Sequence, residues 1–359
     1  MAMDVGSGLR ESDEALVDAH DVLLLDLDGV VYLADRVIAG AADALAGARA
    51  AGAKVVFLTN NASRTPQAVA DQLNGLGVTA AADEVMTSAV TAARRLAALL
   101  PAGSPVLVVG ADALREAVTD AGLETVAGAQ DGPRAVVQGF GPDVCWRILA
   151  EATLAVRAGA TWIATNTDLT LPSPRGLLPG NGSLVGVVAA ATGVAPEVIG
   201  KPQPGLFDAA LAAVPGDRPL MVGDRLDTDI AGAHSAGMAS MVVLSGVSRS
   251  IDVVLASEGS RPTYLGRDLT ALGLRHPHVE QIGTTATCGA VSATLEAGRV
   301  RVSATGAAET PDGLDGLRAV ASLAWSSGAA AVDDAAGGAL GGGRRGFEQV
   351  LRDLGLEQP

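Results

Sequence analysis

The sequence predicts an α/β fold: a parallel-sheet core, a second α/β unit inserted into it, and a small α+β appendage at the carboxyl end. Three observations lead there. Short apolar runs without helical spacing recur along the chain and read as buried strands. Ala-rich stretches of helical propensity separate them. Strand, helix and strand at that spacing form a βαβ unit, whose strands run parallel. The 359 residues are enough to bury a sizeable core and hold two or three domains. With aromatics at only 3%, that core must be built from Ala, Val and Leu.

The first run, Val22-Leu23-Leu24-Leu25, ends in Asp26-Leu27-Asp28-Gly29. Strand side chains repeat every second residue, so Asp26 and Asp28 can face the same side. They stand at the carboxyl end, where open α/β sheets hold their ligands. Two acids that close repel each other unless a cation sits between them. A helix over 41–51, closed by Gly52, leads to a strand over 54–58 that stops at Thr59-Asn60-Asn61. Ser63 or Thr65 caps the next helix, with Pro66 early in it and Gly75 to Gly77 at its end.

From residue 88 to 190 a second alternating pattern runs: helix 90–100, strand 106–109, a helix to Gly122, strand 135–138, helix 144–158 and strand 161–165. The Pro- and Gly-rich segment 166–181 reads as a long loop, a feature that usually carries function. The first pattern resumes with Lys201-Pro202-Gln203-Pro204, a helix over 206–214 and a strand over 219–224 that ends in Asp224. A helix opened by Arg225-Leu226-Asp227-Thr228-Asp229 and a strand over 240–244 follow. Beyond Arg261 a hairpin (290–295 and 299–304, joined through Glu296-Ala297-Gly298), a helix (314–325), a Gly/Ala-rich stretch to Arg345 and a last helix (347–354) are predicted. The predicted domains are 1–87 with 191–258, 88–190, and 259–359. His276-Pro277-His278 reads as an exposed linker, and Trp146, Trp162 and Trp325 as fillers of a small-residue core.

Charge and composition exclude several function classes. Against 25 basic residues stand 40 acidic ones, a formal charge of −15. That excludes a nucleic-acid or anionic-membrane surface, since both need positive stripes. A phosphorylated substrate would need a local cation. Cys145 and Cys288 lack metal-ligand spacing and point to a reducing compartment. The amino terminus has no apolar segment after a basic start, and no apolar run is long enough to span a bilayer. The expectation is a cytoplasmic protein.

Asp26/Asp28, Thr59-Asn60, Lys201 and Asp224/Asp229 stand at strand ends or helix starts of one predicted sheet, and their chemistry is complementary. A carboxylate such as Asp26 can attack phosphorus and split one displacement into two steps. A hard cation such as Mg²⁺ lets a carboxylate approach an anionic phosphate and takes oxygen ligands from Asp26 and Asp224. Asp28 is placed to protonate the leaving oxygen and then to activate water. The Thr59 hydroxyl and nearby backbone amides can hold non-bridging oxygens, while Lys201 neutralises charge as the transition state forms. Asn166 and Asp168 line the substrate opening or build turns.

Four ordered motifs, Asp26-Leu27-Asp28-Gly29-Val30, Thr59-Asn60-Asn61, Lys201-Pro202 and Gly223-Asp224 with Asp229, make the chain resemble the haloacid dehalogenase (HAD) superfamily of phosphatases. The resemblance implies a Rossmann-like core, Mg²⁺ as cofactor and a phosphorylated intermediate on Asp26. It implies Asp28 as acid/base, touching the metal through its carbonyl, and Thr59, Asn60 and Asn61 as the phosphate-binding turn. Lys201 would be the motif lysine, Asp224 a direct metal ligand and Asp229 a supporting acid. Ala164-Thr165-Asn166-Thr167-Asp168 and Leu178-Pro179-Gly180-Asn181-Gly182-Ser183 are similar to the return from the large α/β (C2-type) cap of the NagD-type and 4-nitrophenylphosphate phosphatases.

Over residues 20–250 the pattern is most similar to glycerol-3-phosphate and phosphoglycolate phosphatases. A cap of this size would leave room for a small leaving group, which makes a small phosphorylated metabolite the expected partner, glycerol 3-phosphate first. A second copy of the chain could pair through the cap. A phosphotransferase, or a regulatory protein that keeps the fold without turnover, are the alternative classes. The appendage resembles part of an acetyltransferase-like fold. Its Gly341-Gly342-Gly343-Arg344-Arg345-Gly346 before a helix could hold a pyrophosphate but does not match the expected Arg/Gln-x-x-Gly-x-Gly pattern, so a structural or interaction module is expected there.

Overall fold

Val22–Leu25 is a strand with all four side chains buried, as an uninterrupted apolar run between two sheet faces should be. The computed structural model in which it lies describes residues 8–173, 175–296, 299–327 and 343–356. Contacts divide the chain into two units: Met1–Val56, Leu76–Val78 and Val214–Pro359 form the first, Phe57–Gly75 and Thr79–Ala213 the second.

In the first unit the strands Tyr264–Gly266, Ala239–Val243, Pro219–Gly223 and Val22–Leu25 lie side by side in that order, all parallel. Lys54, which opens the strand Lys54–Thr59, adds to the outer side of Val22–Leu25 through its N–H to the Asp21 carbonyl, 2.9 Å. Helix Ala41–Ala50 starts and ends within a residue of expectation. A short ribbon, Tyr32–Leu33 with Arg36–Val37, follows the Asp-Leu-Asp-Gly turn and is too brief to leave a sequence signal.

Two predicted features of this unit differ. The edge strand Tyr264–Gly266 lies beyond the boundary predicted at 258. The helix predicted to open with Arg225-Leu226-Asp227-Thr228-Asp229 is broken into a π-helical turn, Leu226–Ile230, and a helix, Ala231–Ser235.

The appendage begins with a four-stranded antiparallel sheet, Glu280–Ile282, Thr285–Cys288, Val291–Glu296 and Arg299–Ala304, in sequence order. The last two strands are the predicted hairpin, and its Ala297-Gly298 turn lies outside the described residues. Helices Asp315–Ser327 and Gly343–Asp353 follow; Gly341 and Gly342 of the glycine-rich segment also lie outside the described residues.

One hydrophobic cluster joins Val242, Ile251 and Val254 of the core to Cys288, Leu317, Val320, Trp325 and Leu351 of the appendage. Trp325 donates its indole N–H to the Val253 carbonyl (3.1 Å), and Arg261 lies over its ring, 5.4 Å from the centroid. Buried Arg318 pairs with Asp312 and donates to the Leu265 carbonyl of the edge strand (3.2 Å). Burial opposes ionisation of Asp312, but hydrogen-bonded Arg318 outweighs it and holds the carboxyl below its ordinary range. Burial pushes the Cys288 thiol up to about 12.

The second unit carries its own five-stranded parallel sheet in the order Glu197–Val198, Thr161–Ala164, Ala135–Gln138, Pro105–Val109, Glu124–Val126. Alternate residues feed opposite faces. Val106, Val108, Ala135 and Val137 pack with Leu96, Leu114 and Val118. Leu107, Val109 and Val136 pack with Leu149, Ala152 and Val185. The two edge strands are short, polar and partly exposed, and for that reason lack a strand pattern in the sequence.

The predicted loop 166–181 contains an antiparallel ribbon, Thr170–Ser173 with Gly176–Pro179, before helix Asn181–Thr192. Trp162 and Trp325 fill the core as expected, whereas Trp146 is 80% exposed at the start of a helix. The last three residues of Lys54–Thr59 pair in parallel with Val85–Thr87 in this unit.

His276 corrects the expectation of an exposed linker: its ring is buried, edge-on to Tyr264, with Nε2 3.3 Å from the Ala271 carbonyl.

Two predictions follow from the packing around the appendage. Arg318→Met leaves Asp312 as a buried, uncompensated charge and should cost about 3–5 kcal/mol in urea unfolding. His276 is pushed down to about 4, from 6.5, by burial first and then by Arg318. The unfolded chain takes a proton there below pH 6.5 that the folded chain refuses until about pH 4. Stability should therefore fall as pH drops through that window, by up to about 3 kcal/mol. Unfolding curves from about pH 7 to pH 4.5 should show a smaller fall for His276→Gln.

Candidate active site

The carboxylates of the first unit gather at the carboxyl ends of two adjacent strands. Asp26 donates its N–H to the Val222 carbonyl (2.9 Å), which extends the pairing of Val22–Leu25 with Pro219–Gly223 by one residue. Leu27 turns into the core, leaving Asp26 half-buried and Asp28 exposed on either side of it. Asp28 is bridged through its backbone to Tyr32.

Asp224 is buried between two glycine backbones. A Cβ on Gly29 would lie 2.4 Å from its Oδ2, and one on Gly246 only 2.1 Å from the same oxygen. Gly29 also has φ +83°, which only glycine adopts readily. The Val247 N–H donates to Asp224 Oδ2 at 2.7 Å.

Asp229 comes from the π-helical turn, an irregularity that often marks functional positions. Its Oδ2 accepts the Arg225 N–H (3.1 Å), and its side chain lies so close over Gly223 that a Cβ there would sit 2.2 Å from the Asp229 Cβ.

One carboxylate oxygen each from Asp26, Asp224 and Asp229 thus lies within 4.8 Å of the others. An all-oxygen set of this kind, with two of its acids buried, fits a hard divalent cation such as Mg²⁺. The Asp28 carboxylate is outside this trio, and Asp229, expected only to support, is within it.

In the second unit Thr59, Asn60, Asn166, Asp168 and Lys201 are joined by hydrogen bonds. The Thr59 hydroxyl accepts the Asn61 N–H (3.1 Å), and Asn61 Oδ1 accepts from the Ser63 N–H (2.8 Å) and hydroxyl (2.7 Å). Asn60 Oδ1 accepts the Lys201 N–H (2.8 Å), and its Nδ2 donates to the Lys201 carbonyl (3.0 Å) and to Asp168 Oδ2 (3.2 Å). Asn166 Nδ2 donates to the Asn60 carbonyl (2.7 Å), and Asn166 Oδ1 accepts the Asp168 N–H (3.2 Å). Lys201 is buried, with Nζ 3.4 Å from the Leu58 carbonyl.

Sequence reasoning passed over several of the groups that hold these residues. Gly246 and the Val247 N–H confine Asp224; the signal was a Ser-Gly pair directly after a strand. Asn181 Nδ2 donates to the Asn166 carbonyl (2.7 Å). It stands between Gly180 and Gly182, where a Cβ would meet the Asp168 or Thr167 carbonyl at 2.3 and 2.1 Å.

Residues 23–124 match the haloacid dehalogenase-like hydrolase family, and residues 198–272 a HAD-hydrolase-like one. The chain is 44% identical over 321 residues to D-glycerol 3-phosphate phosphatase of Mycobacterium tuberculosis, covering 88% of this chain and 89% of that one. It is 39% identical over 252 residues to an acid sugar phosphatase of Staphylococcus aureus, covering 70% and 95%. The crystal structure of a glycerol phosphate phosphatase from Mycobacterium tuberculosis in complex with magnesium matches with a TM-score of 0.80 at 43% identity, over 89% of this chain and 93% of that one. Similarity of this extent, over a chain that carries all four motifs in order, means that the protein belongs to the haloacid dehalogenase-like hydrolases.

Proposed function

We propose that the protein is a Mg²⁺-dependent phosphatase that hydrolyses a small phosphate monoester, glycerol 3-phosphate, through a phosphorylated Asp26. The convergence of Asp26, Asp224 and Asp229 carries this reading, because it supplies a cation site beside a strand-end nucleophile. Asp26, Asp224 and Asp229 would hold Mg²⁺, with the Asp28 carbonyl as a further oxygen ligand, and the bound ion would supply screening of the phosphate charge from the carboxylates.

The Asp26 carboxylate attacks phosphorus, the bond to the alcohol oxygen breaks, and protonated Asp28 gives that oxygen its proton. Asp28, now ionised, takes a proton from water; the water oxygen attacks phosphorus, the bond to Asp26 breaks and inorganic phosphate leaves. The Thr59 hydroxyl accepts the Asn61 N–H and so keeps its own proton to donate to a phosphoryl oxygen. The backbone amide of Asn60 completes that cradle, Lys201 neutralises the developing charge, and Asn166 and Asp168 border the alcohol.

Glycerol 3-phosphate is chosen on the likeness to the Mycobacterium tuberculosis enzyme; likeness to an acid sugar phosphatase favours a sugar phosphate second. A cytoplasmic location fits the two free cysteines, and among the described residues no helix is long and apolar enough to cross a membrane. Exposed Trp146, Leu177 and Val187 support pairing of two copies through the cap.

Phosphate release should be measured from glycerol 3-phosphate, phosphoglycolate and sugar phosphates, with Mg²⁺ and with chelator. Turnover of glycerol 3-phosphate that chelator abolishes is expected; none from any ester would refute the proposal. Asp26→Asn should lower kcat on the order of 10⁴-fold or more, while calorimetry still detects Mg²⁺ binding. Gly246→Ala drives a methyl group into Asp224 and should weaken Mg²⁺ about 10- to 100-fold in the same titration.

A further inference from the structure

We propose that the Asn60 side chain is a positioning device for Lys201 and not a phosphate ligand. The inference rests on the reading of Lys201 as the charge-neutralising lysine. A carboxamide offers two N–H donors and one acceptor oxygen. In Asn60 the oxygen takes the Lys201 N–H, and the nitrogen serves the Lys201 carbonyl and Asp168 Oδ2. Both donors are engaged, so none remains for a phosphoryl oxygen. The amide cannot be reversed, because its oxygen must face the Lys201 N–H.

Holding the N–H and the carbonyl of one residue at once fixes the orientation of both flanking peptides. It therefore fixes the Cα–Cβ direction from which the flexible lysine stem starts. The neighbouring backbone allows no slack: a Cβ on Gly200 would lie 2.5 Å from Asn60 Oδ1. Asn60 is itself held, since its carbonyl accepts from Asn166 Nδ2 and from the Ser88 hydroxyl, each at 2.7 Å. Asn166 is tied in turn to Asn181 (2.7 Å). Three carboxamides thus form one relay, Asn181 to Asn166 to Asn60, that ends on the backbone of Lys201.

A double-mutant cycle in the full-length, Mg²⁺-loaded protein tests this, with kcat and KM for glycerol 3-phosphate and the unfolding midpoint measured for Asn60→Ala, Lys201→Ala and the pair. Asn60→Ala should lower kcat/KM about 100-fold through a misplaced ammonium. With Lys201 already truncated, the same change should matter by no more than about threefold. Losses that multiply would mean that Asn60 acts on its own, as a phosphate ligand or by general destabilisation, and would overturn the proposal while leaving the function intact. Full activity in Lys201→Ala would overturn the role of Lys201 and this proposal together. If Asn60→Ala does not fold, Asn60→Asp, of the same shape but without the two donors, takes its place and the same comparison decides.

Discussion

Three carboxylates with oxygens within 4.8 Å of one another set the terms for the sheet end of the first unit. At an effective dielectric of 20, each pair at that distance repels by about 3–4 kcal/mol. Local features far apart in sequence hold the acids in place against that repulsion. Gly29 and Gly246 bring backbone against Asp224, the Val247 and Arg225 amides donate to Asp224 and Asp229, and the π-helical turn leans Asp229 over Gly223. A divalent cation held there would convert the remaining repulsion into attraction, and would add to the stability of this corner as well as to its chemistry.

The second unit solves a different problem by different means. Its polar groups are held by carboxamides, which donate and accept in fixed directions without charge. Asn60, Asn166 and Asn181 bond mainly to backbone, which shifts less than a side chain would. The glycines flanking Asn181 let the Thr167-Asp168 backbone lie against the helix start, so the loop between the cap strands and its ribbon is fixed by sterics as well as by hydrogen bonds.

What could be read from the sequence follows from how locally each feature is encoded. Val22–Leu25, Pro219–Gly223 and Ala239–Val243 are buried on both faces, and continuous apolar runs announce them. Asp26, Thr59, Lys201 and Asp224 were legible because their residue types recur at strand ends in a fixed order. The strands Glu124–Val126 and Glu197–Val198 were not, since an edge strand needs only partners for its backbone. The π-helical turn was hidden because one extra residue barely disturbs a helical pattern. The roles of Asn60 and Asn181 depend on groups more than 100 residues away in one case and on a backbone carbonyl in the other, neither of which a local pattern records. His276 and Trp146 broke opposite expectations, one buried by Tyr264 and the other left exposed at a helix start.

The appendage shows the same dependence on distant contacts. By composition, residues 259–359 read as a separable module, yet they supply the edge strand Tyr264–Gly266 and most of a shared hydrophobic cluster. Arg318 donates to the Leu265 carbonyl of that strand while pairing with Asp312, so helix and sheet edge are locked through one buried cation. Cutting the chain at residue 261 would expose Val242, Ile251 and Val254 and leave Ala239–Val243 as a bare edge, which invites association with other chains. Loss of activity in such a truncation would report the loss of that core. Substitutions on the outer face of the appendage, where Arg299 and Arg301 are exposed, leave the cluster intact and so separate a role of its surface from its role in packing.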